Sequence, residues 1–511
     1  MISFSRWAKH QITKGPAPDR VPLTYEYLVH WAQQTPQAPA IVLSQGAIAF
    51  RVFENHVNVV TQALSKFNLP VGQVVLLSLS NFYSTLLVLI ALENLGLISA
   101  MASKRQQLQA DPLWPHAALL LTDRALDFPV SCPVQMINEA WFSFVLSQPR
   151  RDIADLLYHP GWHDGVRLTS SSGTSQEPKP ILLTHEVQAS WYQFYLDDAG
   201  YQSATRLLVL GSLSVNVYYA RVVVCLRLGG AVMPPFDLRL FETFAPNALC
   251  AMPLDLETLL NQLPASFKKP QQLVAHTGGA ALCDSLRQRA LSQLCSAIFN
   301  NYGAVETGVL TRMEEEKTGT LAQGVSVQIV DALDQPLPLG QAGLLRAKSM
   351  TMIHSYWNHA PATAKAFRDG WFYPGDEAVM LSQRQLKVLG RHDDLLNLGG
   401  VKIAPQPFEQ AIKSMRWVSD AAFVAVGGYD KGTTSDGFGV ALVLRDGPKP
   451  EQWMSHVFAV LRQLSTWIAS HEVNVLYLEL PALPYTDTGK LQRQQIRDLF
   501  KQTIDARPHA T

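Results

Sequence analysis

Apolar side chains recur at helical spacing over 24–35 and stop ahead of Pro36, whose ring disfavours helix in the residue before it. The short apolar runs 40–43 and 47–50 follow, so a helix is expected to lead into a β-hairpin. Beyond them, 53–67 and 82–95 read as helices flanking 74–79, a run with the length and β-branched content of a buried parallel strand. Strand signals return at 206–210, 231–233, 249–252, 273–275 and 297–300, with amphipathic stretches such as 284–295 between them. This alternation predicts a large N-terminal domain of layered α/β subdomains.

The texture changes over 325–347, where short alternating strands meet at turns rich in Asp, Pro and Gly; a β subdomain is expected there. Past Gly390, strand signals at 420–426 and 439–444 precede a helix over 451–469 that sets Trp453, Met454, Val457, Leu461 and Leu464 on one face. A strand over 473–480 follows. Together these make a small α+β C-terminal domain of about 120 residues on a short link.

Composition then narrows the function classes. The 511 residues are about three times the roughly 150 expected per domain, and 47% are hydrophobic, enough for a large core. Lys plus Arg and Asp plus Glu number 42 each, so no bulk attraction draws the protein to nucleic acid or an acidic membrane. Cys132, Cys225, Cys250, Cys283 and Cys295 are widely spaced, form no CxxC pair or Cys/His cluster for zinc, and read as thiols of a reducing compartment. The N-terminal Lys and Arg lead into no apolar stretch, the run 86–92 is too short to span a bilayer, and Arg221 and Arg227 interrupt 207–233. A cytoplasmic protein without a membrane span is expected; the sequence carries no signal of oligomeric state.

The strongest local chemistry is TSSSGTSQEPK, 169–179, after the strand-like 165–168. The hydroxyls of Thr169, Ser170, Ser171, Ser172 and Thr174, with backbone amides, offer donors to phosphate oxygens; Gly173 allows close approach and Lys179 brings a positive charge. No GxxxxGK[ST] occurs, so this is not a Walker loop, and alone it also reads as a plain surface turn.

Five later segments, in order, give the loop its meaning. TGGAAL at 277–282 carries Gly278, Gly279 and Ala280, and NYGAVE at 301–306 carries Tyr302, Gly303 and Glu306. WFYPGD at 371–376 ends on Asp376, GRHDDLLNLGGVKI spans 390–403, and LPYTDTGKLQR spans 483–493. The set resembles the adenylate-forming (AMP-binding) superfamily, which groups acyl- and aryl-CoA synthetases, adenylation domains and luciferases. The matched segments are similar to its phosphate loop, adenine-side turn, aromatic-Gly-Glu motif, ribose motif, hinge and C-terminal lysine loop. The resemblance implies ATP and Mg²⁺, a large domain over 1–392, and a small mobile domain over 393–511 turning about Asp393.

Each residue also has a reading of its own. Glu306 offers a hard oxygen to Mg²⁺, which takes one or two carboxylates plus phosphate oxygens; otherwise it is a solvated Glu after a strand. Tyr302 is a packing residue or a platform for adenine, and Asp376 stabilises its turn or accepts from ribose hydroxyls. The resemblance selects the second role for both and adds Arg391 at the ribose or phosphate. It sends Lys490, on a turn that Gly489 permits, between the domains to bridge the substrate carboxylate and the α-phosphate. It also sets Gly400 and Lys402 on a thiol tunnel. Asp394 stands open between hinge and polar linker, and His185 reads as a cap or packing residue.

Three residues depart from the family pattern: Gln176 and Pro180 stand in place of glycines, and Val305 in place of the Thr before Glu306. The acyl pocket is expected from 211–220 and from the strands ahead of Gly278 and Tyr302. Asn216 falls near the polar residue of aryl-acid members, and a satisfied core Asn is the alternative. No Asp in 211–220 pairs an amino group, which favours a hydrophobic or aromatic carboxylic acid. Three functions stand: an acyl- or aryl-CoA ligase, a stand-alone adenylation enzyme loading a carrier-protein phosphopantetheine or an amine, and a nucleotide-binding pseudoenzyme.

Overall fold

The computed structural model describes residues 21–102, 113–128, 130–170, 179–234, 237–314, 318–398, 401–426, 437–445, 450–471, 473–486 and 490–505. The helix Thr24–Gln34 leads, as expected, into the antiparallel pair Pro39–Leu43 and Gly46–Ala49. Ile41 then pairs in parallel with Val232, joining the hairpin to a parallel array of Ala231–Met233, Arg206–Val209, Ala248–Cys250, Val274–Gly278 and Ala297–Ala304. The array continues past its last parallel strand. Ala297–Ala304 pairs antiparallel with Gly308–Met313, and the strands that include Ser326–Val330 and Ala342–Lys348 extend the same sheet. The expected β subdomain is thus the antiparallel half of one mixed sheet, and Glu306 sits in the turn where the two halves join.

A second sheet has Val74–Ser78 at its centre, buried throughout, with Ile98–Met101 and Leu119–Thr122 as parallel neighbours. The helix Phe82–Asn94 is apolar on every side, which an enclosed helix tolerates; every residue from Leu86 to Leu92 is at most 1% exposed. Its Glu93 meets Arg227 at 3.2 Å inside the core, so one of the arginines that interrupt the second apolar run is a paired core residue. Among the described residues no helix is long and apolar enough to cross a membrane.

Gly165–Ser170 runs antiparallel to the edge strand Pro180–Thr184, with Thr169 opposite Ile181 and Ser170 opposite Pro180. Thr169 and Ser170 therefore belong to a strand, where the sequence placed them in the phosphate loop; ladder pairing carries the strand two residues further, and Thr169 is buried.

The smaller C-terminal α/β region packs helices on a three-stranded sheet of Val418–Val426, Gly437–Leu444 and Val475–Glu479. The helix expected over 451–469 is two, Trp453–Leu464 and Thr466–Ser470, because the Ser465 hydroxyl accepts from the Ile468 amide at 3.3 Å and caps the second. Of the five residues expected on one face, Trp453, Val457 and Leu461 are buried at i, i+4 and i+8, while Met454 and Leu464 are exposed.

Glu409, on the helix Gln406–Lys413, locks this region together. Arg493 of the last helix donates to it, with Nη2 2.9 Å from Oε2, and the Phe423 amide donates at 2.8 Å. Both side chains are buried. Removing one partner of such a pair strands the other charge at a cost of about 3–5 kcal/mol. Glu409→Ala is expected to destabilise the C-terminal region by that amount, seen as an earlier denaturant transition; an unchanged midpoint refutes the lock.

Candidate functional site

The turn between the two halves of the large sheet is tight. A Cβ on Gly303 would lie 2.1 Å from the Gly308 carbonyl oxygen, so glycine is required there. The turn presents Glu306, buried, whose Oε1 accepts a 2.7 Å bond from the Tyr356 hydroxyl. Lys179, immediately before Pro180–Thr184, holds its Nζ 5.3 Å from the centroid of the same Tyr356 ring. Burial pushes the Lys179 ammonium below the ordinary lysine range, and the Glu306 carboxylate opposes that shift.

On the neighbouring antiparallel pair, Asp376 opens Asp376–Met380 directly across from Arg391, the last residue of Gln385–Arg391. Their charged groups stand 3.6 Å apart, and the Tyr302 hydroxyl donates to Asp376 Oδ2. Gly278 lies opposite Asn301 at the end of its strand, and a Cβ there would approach the Asn301 carbonyl oxygen to 2.7 Å. Gly279 and Ala280 follow it directly, so the segments 277–282 and 301–306 meet at the Gly278–Asn301 pair.

Lys490 comes from the C-terminal region and completes the cluster. Burial pushes its ammonium below the ordinary range and Arg391 pushes it further, while the Asp376 and Glu306 carboxylates oppose both. Burial likewise raises the Asp376 carboxyl, against the pull of Arg391, Tyr302 and Lys490. Lys179, Tyr302, Glu306, Asp376, Arg391 and Lys490, far apart in the sequence, therefore meet at one place. Three cations face two carboxylates there.

Asp393 lies in the short helix His392–Asp394, and its backbone oxygen accepts from Arg497 at 2.6 Å. Asp394 pairs with Arg497 at 3.1 Å and with Arg493 at 3.8 Å, so this residue ties the turn to the C-terminal helix. His185 is buried at the start of a helix whose cap is the neighbouring Thr184, in keeping with a packing role. Ser171, Ser172, Gly173, Thr174, Gln176 and Gly400 lie outside the described residues, as does the Lys402 side chain.

Two of the three departures have plain structural accounts. Pro180 is the first residue of an edge strand, where its missing amide costs little. Val305 packs against the apolar group around Met352, Ile353 and Tyr356, beneath Glu306. Asn216 is not satisfied by the core around it: it is 1% exposed, and among the described residues neither Oδ1 nor Nδ2 has a hydrogen-bond partner. Tyr356 was not foreseen, since a lone Tyr 50 positions from Glu306 carries no sequence signal.

Among the described residues no group of three or more His, Cys, Asp and Glu side chains could hold a metal ion. Glu306 has one oxygen engaged by Tyr356, and the other accepts no hydrogen bond from the described residues. That suits a cation such as Mg²⁺, which takes one or two carboxylates and completes its shell with phosphate oxygens and water.

Residues 155–357 match the family model described as AMP-binding enzyme. Pseudomonine synthase PmsE of Pseudomonas entomophila is 25% identical over 94% of this chain and 83% of its own length. A salicylyl-CoA synthase / salicylate adenylyltransferase of Streptomyces is 26% identical over 66% of this chain, an alignment that spans only 63% of that relative. Among solved structures, ATP-bound MatB from Rhodopseudomonas palustris superimposes with a TM-score of 0.79 at 19% identity, over 94% of this chain and 99% of its own. The anthranilate CoA ligase AuaEII with anthranoyl-AMP does so at 0.78 and 17%, over 96% and 99%. These likenesses establish the two-part fold.

The bare Asn216 amide has a thermodynamic consequence. A buried polar group without a partner costs about 1–3 kcal/mol. Asn216→Leu, which keeps the branched shape at Cγ, is expected to raise the unfolding free energy of the unliganded protein by roughly that amount. A lowered melting temperature refutes the assignment of Asn216 as unsatisfied.

Proposed function

We propose, from the premise that this chain belongs to the adenylate-forming (AMP-binding) superfamily, that it activates a carboxylic acid with ATP to an acyl- or aryl-adenylate, releases pyrophosphate, and passes the acyl group to a thiol. The observation that carries this reading is Lys490, half-buried and within electrostatic reach of Arg391, Asp376 and Glu306 from another part of the chain. In this reading the large domain is 1–392, the small domain is 393–511, and Asp393 is the hinge between the two half-reactions.

The acid is already ionised at neutral pH, so the first step needs no general base. A carboxylate oxygen attacks the α-phosphorus, and the bond to the leaving pyrophosphate breaks. Lys490 donates to the carboxylate and α-phosphate as charge redistributes, while Lys179 and Arg391 neutralise the phosphate side. Tyr302 with Gly278, Gly279 and Ala280 borders the adenine, and Asp376 accepts from the ribose. Glu306 would hold Mg²⁺, whose chemistry is to neutralise charge on the phosphates. In the second step a thiolate attacks the acyl carbonyl and AMP leaves, with Gly400 and Lys402 on the thiol side.

The aromatic acids in the names of a salicylyl-CoA synthase and a hydroxybenzoate–CoA ligase from Thauera aromatica support an aryl acid, as does Asn216 beside the expected pocket. CoA is the acceptor of choice. A carrier-protein phosphopantetheine is the second reading, favoured by similarity to pseudomonine synthase over 94% of this chain. The five free cysteines suit a cytoplasmic setting.

Pyrophosphate release over a panel of carboxylic acids tests the first half-reaction, and mass spectrometry of the product after adding CoA tests the second. Lys490→Ala is expected to lower pyrophosphate release about 10²–10³-fold, the ~2.7–4 kcal/mol of one lost charge-stabilising donor; undiminished release refutes the role. A second outcome follows from the depressed Lys490 pKa. The charged form is lost as pH rises through that pKa, so kcat/KM should fall on the alkaline side earlier than an ordinary lysine would give. Lys490→Arg should move that limb upward; an identical limb in both proteins rules out titration of Lys490.

A further inference from the structure

Tyr356 is 5% exposed and touches both Glu306 and Lys179, though it belongs to none of the motif segments read from the sequence. Its hydroxyl donates to Glu306 Oε1 at 2.7 Å, and the Lys179 ammonium stands 5.3 Å from the centroid of its ring. The backbone on either side repeats the two connections. Ile353 donates its amide to the Glu306 carbonyl at 2.8 Å, and Trp357 donates its amide to the Pro180 carbonyl, also at 2.8 Å. One short stretch, 353–357, is therefore stitched at one end to the turn that carries Glu306 and at the other to the strand that follows Lys179.

Tyr356 has little freedom of its own. Its amide donates to Thr363 Oγ1 at 3.0 Å, and its ring meets Phe367 edge-on with centroids 5.5 Å apart, so the helix Ala360–Ala366 and the residue after it hold it in place. Packing alone would be served as well by phenylalanine; the hydroxyl has a separate use. A carboxylate turns easily about its last torsion, and either oxygen, or both, can face a cation. Mg²⁺ tolerates little such play, because it holds its ligands in near-octahedral geometry. The bond from Tyr356, strengthened by the charge of its acceptor, commits Oε1 and leaves Oε2 as the oxygen on offer. The ring serves Lys179. Burial disfavours that ammonium, Glu306 offsets the burial, and Lys365 on the helix Ala360–Ala366 repels it, as does Arg391. The face of an aromatic ring attracts a cation within about 6 Å, which holds Lys179 beside Glu306 against that repulsion.

We propose that Tyr356 is a positioning residue for the phosphate end of the site: its hydroxyl selects and orients the Glu306 oxygen offered to a divalent cation, and its ring seats the Lys179 ammonium next to that oxygen. This rests on the ATP-dependent reading above, in which Glu306 holds Mg²⁺ and Lys179 neutralises phosphate. Tyr356 acts through these two residues and takes no part in the bonds that form and break.

Calorimetric titration of the full-length protein with ATP, once in Mg²⁺ and once in EDTA, separates the two contacts. For the unaltered protein Mg²⁺ should tighten ATP binding. Tyr356→Phe keeps the ring and loses the hydroxyl, so its affinity for ATP in EDTA should match that of the unaltered protein. Its affinity in Mg²⁺ should fall about tenfold or more, the usual loss when the hydrogen-bond partner of a metal ligand is removed. Pyrophosphate release by the variant should then need a higher Mg²⁺ concentration to reach half its maximal rate. A tyrosine that only packs gives a different result, a lowered melting temperature with the Mg²⁺ effect intact, and that result overturns the proposal. Equal loss of ATP affinity with and without the metal overturns it too. ATP binding that Mg²⁺ leaves unchanged in the unaltered protein sinks this inference and leaves acid activation standing. Failure to bind ATP under either condition removes the activation reading first, and this inference falls with it.

Discussion

An ammonium and a guanidinium held close together in a half-buried site repel each other, and the Asp376 and Glu306 carboxylates stand against Lys490 and Arg391 to offset that repulsion. That balance needs parts of the chain remote from one another. The turn after Ala297–Ala304 must deliver Glu306, the paired ends of Asp376–Met380 and Gln385–Arg391 must deliver their two charges, and the C-terminal region must deliver the lysine. Close backbone approach at Gly278 and Gly303 lets the first two come near enough. With Lys179 included, positive charge exceeds negative, and a low-dielectric site with such a surplus is completed by an anion.

Much of this was legible because it is local. The helix Thr24–Gln34, the hairpin after it, the buried strand Val74–Ser78 and the apolar helix Phe82–Asn94 follow from spacing and composition over a dozen residues. The six motif segments were readable for the same reason, and the structure sets Lys179, Tyr302, Glu306, Asp376, Arg391 and Lys490 from five of them near one another. Where the reading missed, a short-range competitor or a long-range partner decided. Ser465 breaks one expected helix into two by capping the second, and pairing with Ile181 and Pro180 draws Thr169 and Ser170 into a strand. Asp394 and Glu409 find their arginines 103 and 84 positions away, and no periodicity announces such pairs.

The departures from the family pattern divide by the same logic. Pro180 forfeits an amide at an edge where none is needed, and Val305 exchanges a hydroxyl for apolar packing under Glu306. Neither change disturbs the charges that meet above them. The grounds for a nucleotide-binding pseudoenzyme are correspondingly narrower than the sequence suggested: on the described residues they come down to one lost hydroxyl.

The chain carries equal numbers of acidic and basic residues, so no net field distinguishes it in solution. Its positive character is gathered at the half-buried Lys179, Arg391 and Lys490 cluster and again at the buried Arg167. Screening by salt acts on exposed charges over about 8–10 Å and reaches buried ones far less. The pull of such a cluster on an anion therefore depends on where the fold holds its cations. Arg391 ends one strand, Lys179 immediately precedes another, and Arg167 stands inside a third.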